Sequence, residues 1–285
     1  MAAGTPTDPA ASLRDRVVVI TGGGRGLGLA MARALARAGC RVAISGARDG
    51  ADLAAAAAEL GGIAGAGRVL ARRADVASWE DCQALAGAVL ERFGRIDALV
   101  NNAGRGMLEI SPRFNTEPAL FWTADPQGVR NIVDANVLGP FLMARACTPH
   151  MVAQGFGRIV NISTSLPTMV RKGYSPYGPS KAALEAMTAV WARDLDGTGV
   201  TVNALLPGGA TDTRLLPGSG PGRRGADGQL LAPELMAAPI VWLVSDASAA
   251  SNGARYIARD WDPALPADQA AARARGPAHA VPAIL

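Results

Sequence analysis

The chain has 285 residues, of which 49% are hydrophobic and 18% are charged, and its formal net charge is +4. This length and composition predict one α/β domain with a sizeable core, and the mild, scattered positive charge excludes a basic stripe that would bind nucleic acid. The chain lacks an apolar run of membrane-spanning length or a signal peptide, and its cysteines lack metal-ligand spacing, so we expect a cytoplasmic protein without a metal.

The first half of the chain alternates strands and helices. A β-branched run at 17–20 predicts a buried strand, a glycine-rich turn follows at 21–28, and the next helix ends at Gly39. Further strands are predicted in "RVAIS", "VLARRADV" and "IDALVNNAG", separated by the helices "DLAAAAAEL" and "WEDCQALAGAVLERFG". This alternation predicts a parallel sheet covered by helices on both faces.

The second half continues the same alternation with longer connections. We expect an irregular stretch at 105–133, a helix at about 134–153 and a mobile loop at 211–233. Strands are predicted in "GRIVNIS", "GVTVNALLPGG" and "ARYIAR", and a helix in "PELMAAPIVWLVSD". The predicted organisation is a disordered N-terminus at 1–11, one domain at 12–259 and a C-terminal tail at 260–285.

The glycine-rich turn "TGGGRGLG" indicates a phosphate-binding site. Gly22, Gly26 and Gly28 lie directly between a predicted strand and a helix. Residues without a Cβ allow a tight turn and a close approach of a pyrophosphate, and the helix N-terminus supplies N–H groups. The spacing is G-x-x-x-G-x-G and differs from the commoner G-x-G-x-x-G.

The end of the second strand favours NADP(H) over NAD(H). A carboxylate usually binds the ribose 2′-hydroxyl there, but this chain reads Ser-Gly-Ala-Arg at 45–48 and has no carboxylate before Asp49. Arg48 and Arg25 could pair with a 2′-phosphate. NAD(H) remains possible because Asp49 could turn inward.

Several motifs occur together in one order. They are "TGGGRGLG", "NNAG" at 101–104, Asn136, and "YGPSK" at 177–181. In this combination the chain resembles the short-chain dehydrogenase/reductase family, including its 3-oxoacyl-carrier-protein reductase and other ketoreductase-like members, from about Leu13 to Ile257. The resemblance implies a single Rossmann-type domain with a doubly wound, seven-stranded parallel sheet, a nicotinamide cofactor and an active site of Asn, Ser, Tyr and Lys.

Tyr177 and Lys181 match the family's catalytic tyrosine and lysine. A free phenol has a pKa near 10, and a nearby cation stabilises the phenolate. Lys181 lies one helical turn after Tyr177, so we expect it to lower the pKa of the phenol, and the resemblance implies that it also holds the cofactor ribose. Because Pro179 is tolerated only in a first helical turn, the helix should begin close to Tyr177.

The position of the family's serine is open between two residues. Thr164 and Ser165 lie 13 and 12 residues before Tyr177. The register favours Thr164, whose hydroxyl can donate the same hydrogen bond to a developing alkoxide, whereas a shift of one residue gives the role to Ser165. Asn136 matches the asparagine that anchors a water beside Lys181 and so opens a proton path.

The resemblance assigns the remaining motif residues to the cofactor. Asp75 would contact the adenine, or could cap the helix near Trp79. Pro207 and Gly208 would border the nicotinamide, and Thr213 would reach its amide or phosphate, although Thr211 is nearby. The complete implied set is Gly22, Gly24, Arg25, Gly26, Leu27, Gly28, Arg48, Asp75, Val76, Asn102, Ala103, Gly104, Tyr177, Lys181, Pro207, Gly208 and Thr213.

The chain departs from the family pattern in three places. The segment between Gly104 and Asn136 is longer than usual for the family. It could shape the substrate pocket or a subunit contact, and the alternative is a packed surface loop. In the loop at 211–233, Arg214, Leu215 and Leu216 are candidates to contact the substrate. Arg223 and Arg224 in the same loop could attract an acidic substrate. Trp261 lies in a polar tail, so we expect it to pack on a neighbouring subunit or over the substrate opening.

These observations predict an NADP(H)-dependent oxidoreductase acting on a ketone or secondary alcohol. One alternative is an NAD-dependent alcohol, sugar or polyol dehydrogenase, and another is a catalytically silent dinucleotide-binding sensor or scaffold. The expected partners are a small-molecule substrate and further copies of the chain, as a homotetramer or homodimer with contacts through helices at 134–153 and 179–195. We expect no nucleic acid and no membrane.

Overall fold

Seven parallel strands form one sheet in the order β3-β2-β1-β4-β5-β6-β7. The computed structural model describes residues 9–48, 50–218, 225 and 228–277, so Asp49, Arg223 and Arg224 lie outside the described residues. The strands are β1 (Val17–Ile20), β2 (Arg41–Gly46), β3 (Val69–Arg73), β4 (Ala98–Asn101), β5 (Gly157–Ile162), β6 (Val200–Leu206) and β7 (Arg255–Ile257).

Helices cover both faces of this sheet. They are α1 (Gly26–Arg37), α2 (Gly50–Ala64), α3 (Trp79–Phe93), α4 (Pro126–Val133), α5 (Gly139–Gln154), α6 (Leu166–Met169), α7 (Tyr177–Asp194), α8 (Ala237–Val244) and α9 (Ala267–Ala274). The prediction of a doubly wound, seven-stranded Rossmann-type sheet is confirmed.

The sheet separates two apolar layers. In β1, Val18 and Ile20 pack with α1, α2 and α8, whereas Val17 and Val19 pack with α3 and α5. All four side chains are fully buried. Successive side chains of a strand point to opposite faces, and a sheet covered on both faces therefore needs the continuous β-branched run that the sequence shows.

The sheet order creates a crevice at the carboxyl ends of β1 and β4. The chain leaves β1 towards β2 and β3, then returns to place β4 on the other side of β1. The connections diverge between these two strands, which pair through Ile20 and Val100. Open α/β sheets bind ligands at such a switch point.

The long connection after β4 becomes helical earlier than predicted. Residues 126–133 form α4, whereas the sequence predicted an irregular stretch to 133. The Asp125 carboxylate accepts a hydrogen bond of 2.8 Å from the Gly128 N–H, and Pro126 occupies the first turn. An Asp-Pro pair is a good helix start, so the signal was present in the sequence. One π-helical turn, Asp134–Leu138, then joins α4 to α5.

The segment before α4 folds against the active-site region. Met107 and Phe114 are buried with Ile132 in a small apolar cluster, and Tyr177 packs against this cluster. By contrast, the side chains of Phe121 and Trp122 are about two-thirds exposed and pack edge-to-face on each other. The extra residues therefore build one wall beside Tyr177 and one exposed aromatic pair.

The C-terminal segment packs on its own chain. The Trp261 ring lies 6.3 Å from that of Trp242, and the Trp242 indole N–H donates a 2.7 Å hydrogen bond to Asp268 in α9. The expectation that Trp261 packs on a neighbouring subunit or over the substrate opening is therefore wrong. Arg275 then forms an antiparallel bridge with Tyr256 and shields part of the edge strand β7.

None of the helices in the described ranges is both long enough and apolar enough to cross a bilayer.

Candidate active site

A cleft of about 1200 Å³ opens at the carboxyl ends of the strands. With two exceptions, all of the residues that the sequence assigned to catalysis or cofactor binding line this cleft. The exceptions are Gly28 and Asn136. Any Cβ on Gly28 would collide with the Gly22 carbonyl, and Asn136 is fully buried behind the cleft wall.

The glycine turn is anchored by side chains that directly follow β1 and β4. Gly22 and Gly26 have φ angles of +63° and +53°, which favour glycine. The Thr21 hydroxyl accepts hydrogen bonds of 3.0 Å from the Asn102 and Ala103 N–H groups, and the Asn102 amide donates to the Thr21 carbonyl at 2.8 Å. Asn102 therefore shapes the turn itself, and Thr21 is an anchor that the motif reading missed.

This turn suits a pyrophosphate. Gly22, Gly24 and Gly26 line the cleft at the N-terminus of α1 without a Cβ in the way. The Thr213 side chain packs over Gly26, and an added Cβ there would lie 3.2 Å from its methyl carbon. Thr211, the alternative, is buried, and its hydroxyl donates to the Gly209 carbonyl at 3.3 Å.

Arg48 follows the end of β2 and Arg25 lies in the glycine turn, and each pairs with a carboxylate on another segment. Arg48 pairs with Glu109 at 3.3 Å, and Arg25 pairs with Asp52 at 3.1 Å. Both guanidinium side chains are more than half exposed, so these ion pairs are weak. The Ser45 hydroxyl lines the cleft, is buried, and has no hydrogen-bond partner within the described part of the chain.

Asp75 does not cap the following helix. The cap of α3 is Ser78, whose hydroxyl accepts a 3.1 Å hydrogen bond from the Asp81 N–H. The Asp75 carboxylate accepts one from the Ala77 N–H at 3.0 Å and keeps its place on the cleft wall beside Val76.

Tyr177 begins α7, as the proline spacing predicted, and the Thr164 side chain lies close enough to its hydroxyl to influence its pKa. Ser165 points elsewhere, because its hydroxyl lies 2.7 Å from that of Thr168. Both residues that the sequence left open line the cleft, and Thr164 is the one whose side chain acts on the Tyr177 hydroxyl. Burial raises the pKa of Tyr177 to about 12, and the Thr164 side chain opposes this rise.

Lys181 lies one turn after Tyr177 and is buried, with 6% of its surface exposed. Its ammonium donates a 2.9 Å hydrogen bond to the Ile162 carbonyl at the end of β5. Burial lowers the pKa of Lys181 to about 8, while the Glu185 carboxylate acts in the opposite direction. The expected lowering of the phenol pKa by Lys181 is not found, because desolvation dominates both groups.

Asn136 sits in the π-helical turn between α4 and α5. Its amide donates to the Arg105 carbonyl and the Ser180 hydroxyl, each at 3.0 Å, and its oxygen accepts from the Arg105 N–H at 2.8 Å. A Cβ added to Gly104 would lie 3.0 Å from that oxygen and 3.6 Å from the Lys181 nitrogen. Asn136 and Lys181 therefore both border the space beside Gly104.

The outer end of the cleft has an apolar wall, lined by Met107, Phe114, Leu215 and Leu216. Arg214, a candidate for substrate contact, instead pairs with Asp52 at 2.8 Å and ties the loop after β6 to α2.

Two charged residues near Tyr177 and Lys181 were not singled out from the sequence, and one of them, Arg255, also lines the cleft. Glu185 follows Lys181 by one helical turn, and Arg255 lies on β7. Their side chains pair at 2.9 Å. The i, i+4 spacing of Lys181 and Glu185 was readable in advance, but nothing in the sequence placed Arg255 beside them. Within the described ranges, no group of His, Cys, Asp or Glu side chains is arranged to hold a metal ion.

Comparison with known proteins agrees with this geometry. The family model for short chain dehydrogenases matches residues 16–222. A 3-oxoacyl-[acyl-carrier-protein] reductase from Synechocystis sp. is 36% identical over 69% of this chain and 75% of its own length. A D-threitol dehydrogenase from Mycolicibacterium smegmatis is 35% identical over 86% of this chain and 92% of its own length.

A solved structure shows the same fold. The 3-ketoacyl-(acyl-carrier-protein) reductase from Brucella melitensis, complexed with NADH, superposes with a TM-score of 0.72 and 29% identity, covering 86% of this chain and 96% of that one. The chain therefore belongs to the short-chain dehydrogenase family, and it is an NAD(P)-dependent oxidoreductase.

Proposed function

We propose that the protein is an NADP(H)-dependent carbonyl reductase that interconverts a ketone and a secondary alcohol, with Tyr177 as the acid and base. The observation that carries this proposal is the convergence of three side chains on one cleft. Thr164, Tyr177 and Lys181 all line it, the Thr164 side chain acts on the Tyr177 hydroxyl, and Lys181 lies one helical turn after Tyr177. Two hydroxyls that converge on one point of a cleft suit a carbonyl oxygen that gains a proton.

The chain's own residues handle the proton. A bound nicotinamide would supply hydride to the carbonyl carbon in the reducing direction and accept it in the oxidising direction. The Tyr177 hydroxyl gives its proton to the carbonyl oxygen, so that the ketone gains one hydride and one proton and leaves as the alcohol. Thr164 donates a hydrogen bond to the oxygen as its charge develops. A phenol with a pKa of about 12 is fully protonated at neutral pH, which suits reduction.

Lys181 and Asn136 would return the proton. Lys181 has a pKa of about 8 and can therefore exchange a proton near neutral pH, which a lysine with its ordinary pKa of 10.5 does poorly. Asn136 and the Lys181 ammonium both border the space beside Gly104. We propose that the proton passes from Lys181 towards solvent through this space.

The preference for NADP(H) rests on Arg25 and Arg48. Both line the cleft at the turn and at the end of β2, and neither is buried. Because their pairs with Asp52 and Glu109 are solvent-exposed, a 2′-phosphate can replace the carboxylates at little cost. The apolar wall at the outer end favours a ketone with an apolar body.

One observation favours a second candidate, an NAD-dependent alcohol or polyol dehydrogenase. Asp52 lines the same cleft and could accept hydrogen bonds from a ribose in place of its arginine partners. A D-threitol dehydrogenase is similar to this chain over 92% of its own length, and the solved relative is complexed with NADH.

Titration of the purified protein with NADPH and, separately, NADH separates these candidates. We expect NADPH to bind at least about tenfold more tightly, and Arg48→Ala to remove most of that difference by weakening NADPH alone. Arg37→Ala is the matched control, since Arg37 is exposed at the end of α1 and lies outside the cleft. Equal or tighter binding of NADH would overturn the NADP(H) assignment.

We also propose a homotetramer or homodimer that uses the faces of α5 and α7. Phe141 on α5 and Val190 on α7 are 42% and 51% exposed, and Leu138 and Val152 are exposed on the same helical segment. Exposed apolar side chains grouped on long helices indicate a protein contact. Light scattering of Phe141→Asp tests this, because the variant should shift to a smaller species if the proposal is right and keep its mass if it is wrong.

A further inference from the structure

The partly buried ion pair of Glu185 and Arg255 lies near the proposed catalytic residues, and Arg255 also lines the cleft. The Arg255 Nε donates to both carboxylate oxygens of Glu185, at 2.9 and 3.2 Å. Each side chain is only 17% exposed. The planar guanidinium of Arg255 therefore binds Glu185 through one nitrogen and the Thr164 carbonyl through another, which fixes the orientation of both partners.

Two further contacts join this pair to the strand end that carries Thr164. The Arg255 Nη2 donates a 2.9 Å hydrogen bond to the Thr164 carbonyl. The Ser163 hydroxyl donates to the Glu185 carboxylate at 2.6 Å. The pair therefore holds residues 163 and 164 near Tyr177. Separately, the Arg255 carbonyl accepts a 2.7 Å hydrogen bond from the Gly276 N–H of the C-terminal segment.

We propose that Glu185 and Arg255 are positioning residues for the reaction: together they fix the backbone of Thr164 so that its hydroxyl meets Tyr177, and Glu185 supports the positive charge of Lys181. This inference rests on the proposed function, in which Thr164, Tyr177 and Lys181 act on the substrate. Neither residue needs to touch the substrate.

The surroundings of Lys181 make Glu185 its main electrostatic partner. Ile162 on β5 offers a carbonyl, and Asn136 in the π turn offers a neutral amide. On α7 itself, Tyr177 lies one turn before Lys181 and is protonated at neutral pH, whereas Glu185 lies one turn after. The nearby Arg105 directs its guanidinium to Glu109 at 3.6 Å. The Glu185 carboxylate is therefore the charge that opposes burial of the ammonium.

The sequence offers a direct readout that needs no substrate. Lys172 and Lys181 are the two lysines in the chain, so a protein labelled with ¹³C at lysine Cε gives two titrating NMR signals. Lys172→Arg identifies the Lys181 signal, and Lys172 is exposed and serves as the internal control. We expect Glu185→Gln to lower the pKa of Lys181 by about half a pH unit or more, and Arg255→Met to raise it. An unchanged pKa in both variants would overturn the electrostatic part.

Kinetics test the positioning part with a matched control. We expect Arg255→Met to lower kcat by about tenfold to a hundredfold with little change in cofactor Kd, since a displacement of about 1 Å in a reacting group costs that much. Arg255→Lys keeps the positive charge beside Glu185 but lacks the planar guanidinium that also binds the Thr164 carbonyl. It should therefore keep the pKa of Lys181 unchanged but lose kcat. The control is Arg16→Met, which breaks a partly buried pair with Asp97 at the opposite end of the sheet and should leave kcat unchanged.

The outcomes separate this inference from the proposed function. The positioning role would be overturned if both Arg255→Met and Arg255→Lys kept a kcat within twofold of the wild-type value. It would also be overturned if Arg16→Met lost as much kcat as Arg255→Met at the same loss of Tm. If the wild-type protein turns over no ketone or alcohol, the proposed function fails instead, and the NMR titration still tests the link between Glu185 and Lys181.

Discussion

The ammonium nitrogen of Lys181 lies 2.9 Å from the carbonyl oxygen of Ile162, the last residue of β5. Thr164 follows that strand end by two residues, and its side chain meets the hydroxyl of Tyr177. The carbonyl therefore joins the lysine to the strand end that carries the threonine. In this arrangement β5 and α7 fix the relative positions of Thr164, Tyr177 and Lys181.

Substitutions at Thr164 and Ser165 test which hydroxyl polarises the substrate. We expect Thr164→Val to lower kcat by about a hundredfold or more, because the side chain keeps its shape but loses the donor. Thr164→Ser should recover most of the rate. Ser165→Ala is the matched control, since the Ser165 hydroxyl is bonded to Thr168, and it should change kcat less than threefold. Steady-state kinetics that show the opposite order would transfer the role to Ser165.

The low pKa of Lys181 predicts a pH-dependent stability difference. In the unfolded chain the lysine keeps its proton up to the ordinary pKa of 10.5, whereas in the folded protein it loses it above about 8. Between these values the unfolded state binds more protons, so the stability contributed at this site increases with pH and is lowest below pH 8. The free energy of unfolding of the wild type, relative to Lys181→Met, should therefore rise by up to about 1.4 kcal/mol per pH unit.

Urea unfolding of both proteins at pH 7, 8 and 9 measures this difference. Lys172→Met is the control, because Lys172 is exposed and its substitution should give a difference that does not depend on pH. A flat difference for Lys181→Met as well would show that the folded protein does not lower the pKa of Lys181.

The C-terminal helix should contribute to stability without contributing to turnover. Asp268→Ala leaves the Trp242 indole N–H without its acceptor, and we expect the free energy of unfolding to fall by about 1–3 kcal/mol. Asp262→Ala, which removes a more exposed pair with Arg273, should cost less than about 1 kcal/mol. A large loss of kcat in Asp268→Ala with an unchanged Tm would contradict this account of α9.

The fold was predictable because its signals are local and strong. The β-branched run of β1 and the glycines Gly26, Gly39 and Gly94 mark where elements begin and end, and Gly94 does adopt the left-handed cap conformation. The start of α7 at Tyr177 followed from Pro179 alone. These features depend on backbone sterics and hydrophobic periodicity, which a sequence records directly.

Contacts between distant segments were not predictable. Trp261 was expected to pack on a neighbouring subunit or over the substrate opening, because nothing in the sequence showed that it would pack against Trp242 of its own chain. The pairing of Arg255 with Glu185 depends on β7 lying next to β6, which only the assembled sheet provides. The sequence predicted a lowered pKa for Tyr177, whereas burial raises it. The spacing of four residues reveals the neighbouring cation but not the loss of water around the phenol.

The most direct test of the central claim compares the wild type with Tyr177→Phe, measuring NADPH oxidation against a panel of ketones and NADPH binding by fluorescence. The account predicts that the wild type reduces at least one ketone and that Tyr177→Phe loses about a thousandfold or more in kcat with nearly unchanged NADPH affinity. Tyr256→Phe, which alters a buried hydroxyl bonded to Ser251, should keep its turnover. Near-normal turnover in Tyr177→Phe would contradict the account, because the proton would then come from another group.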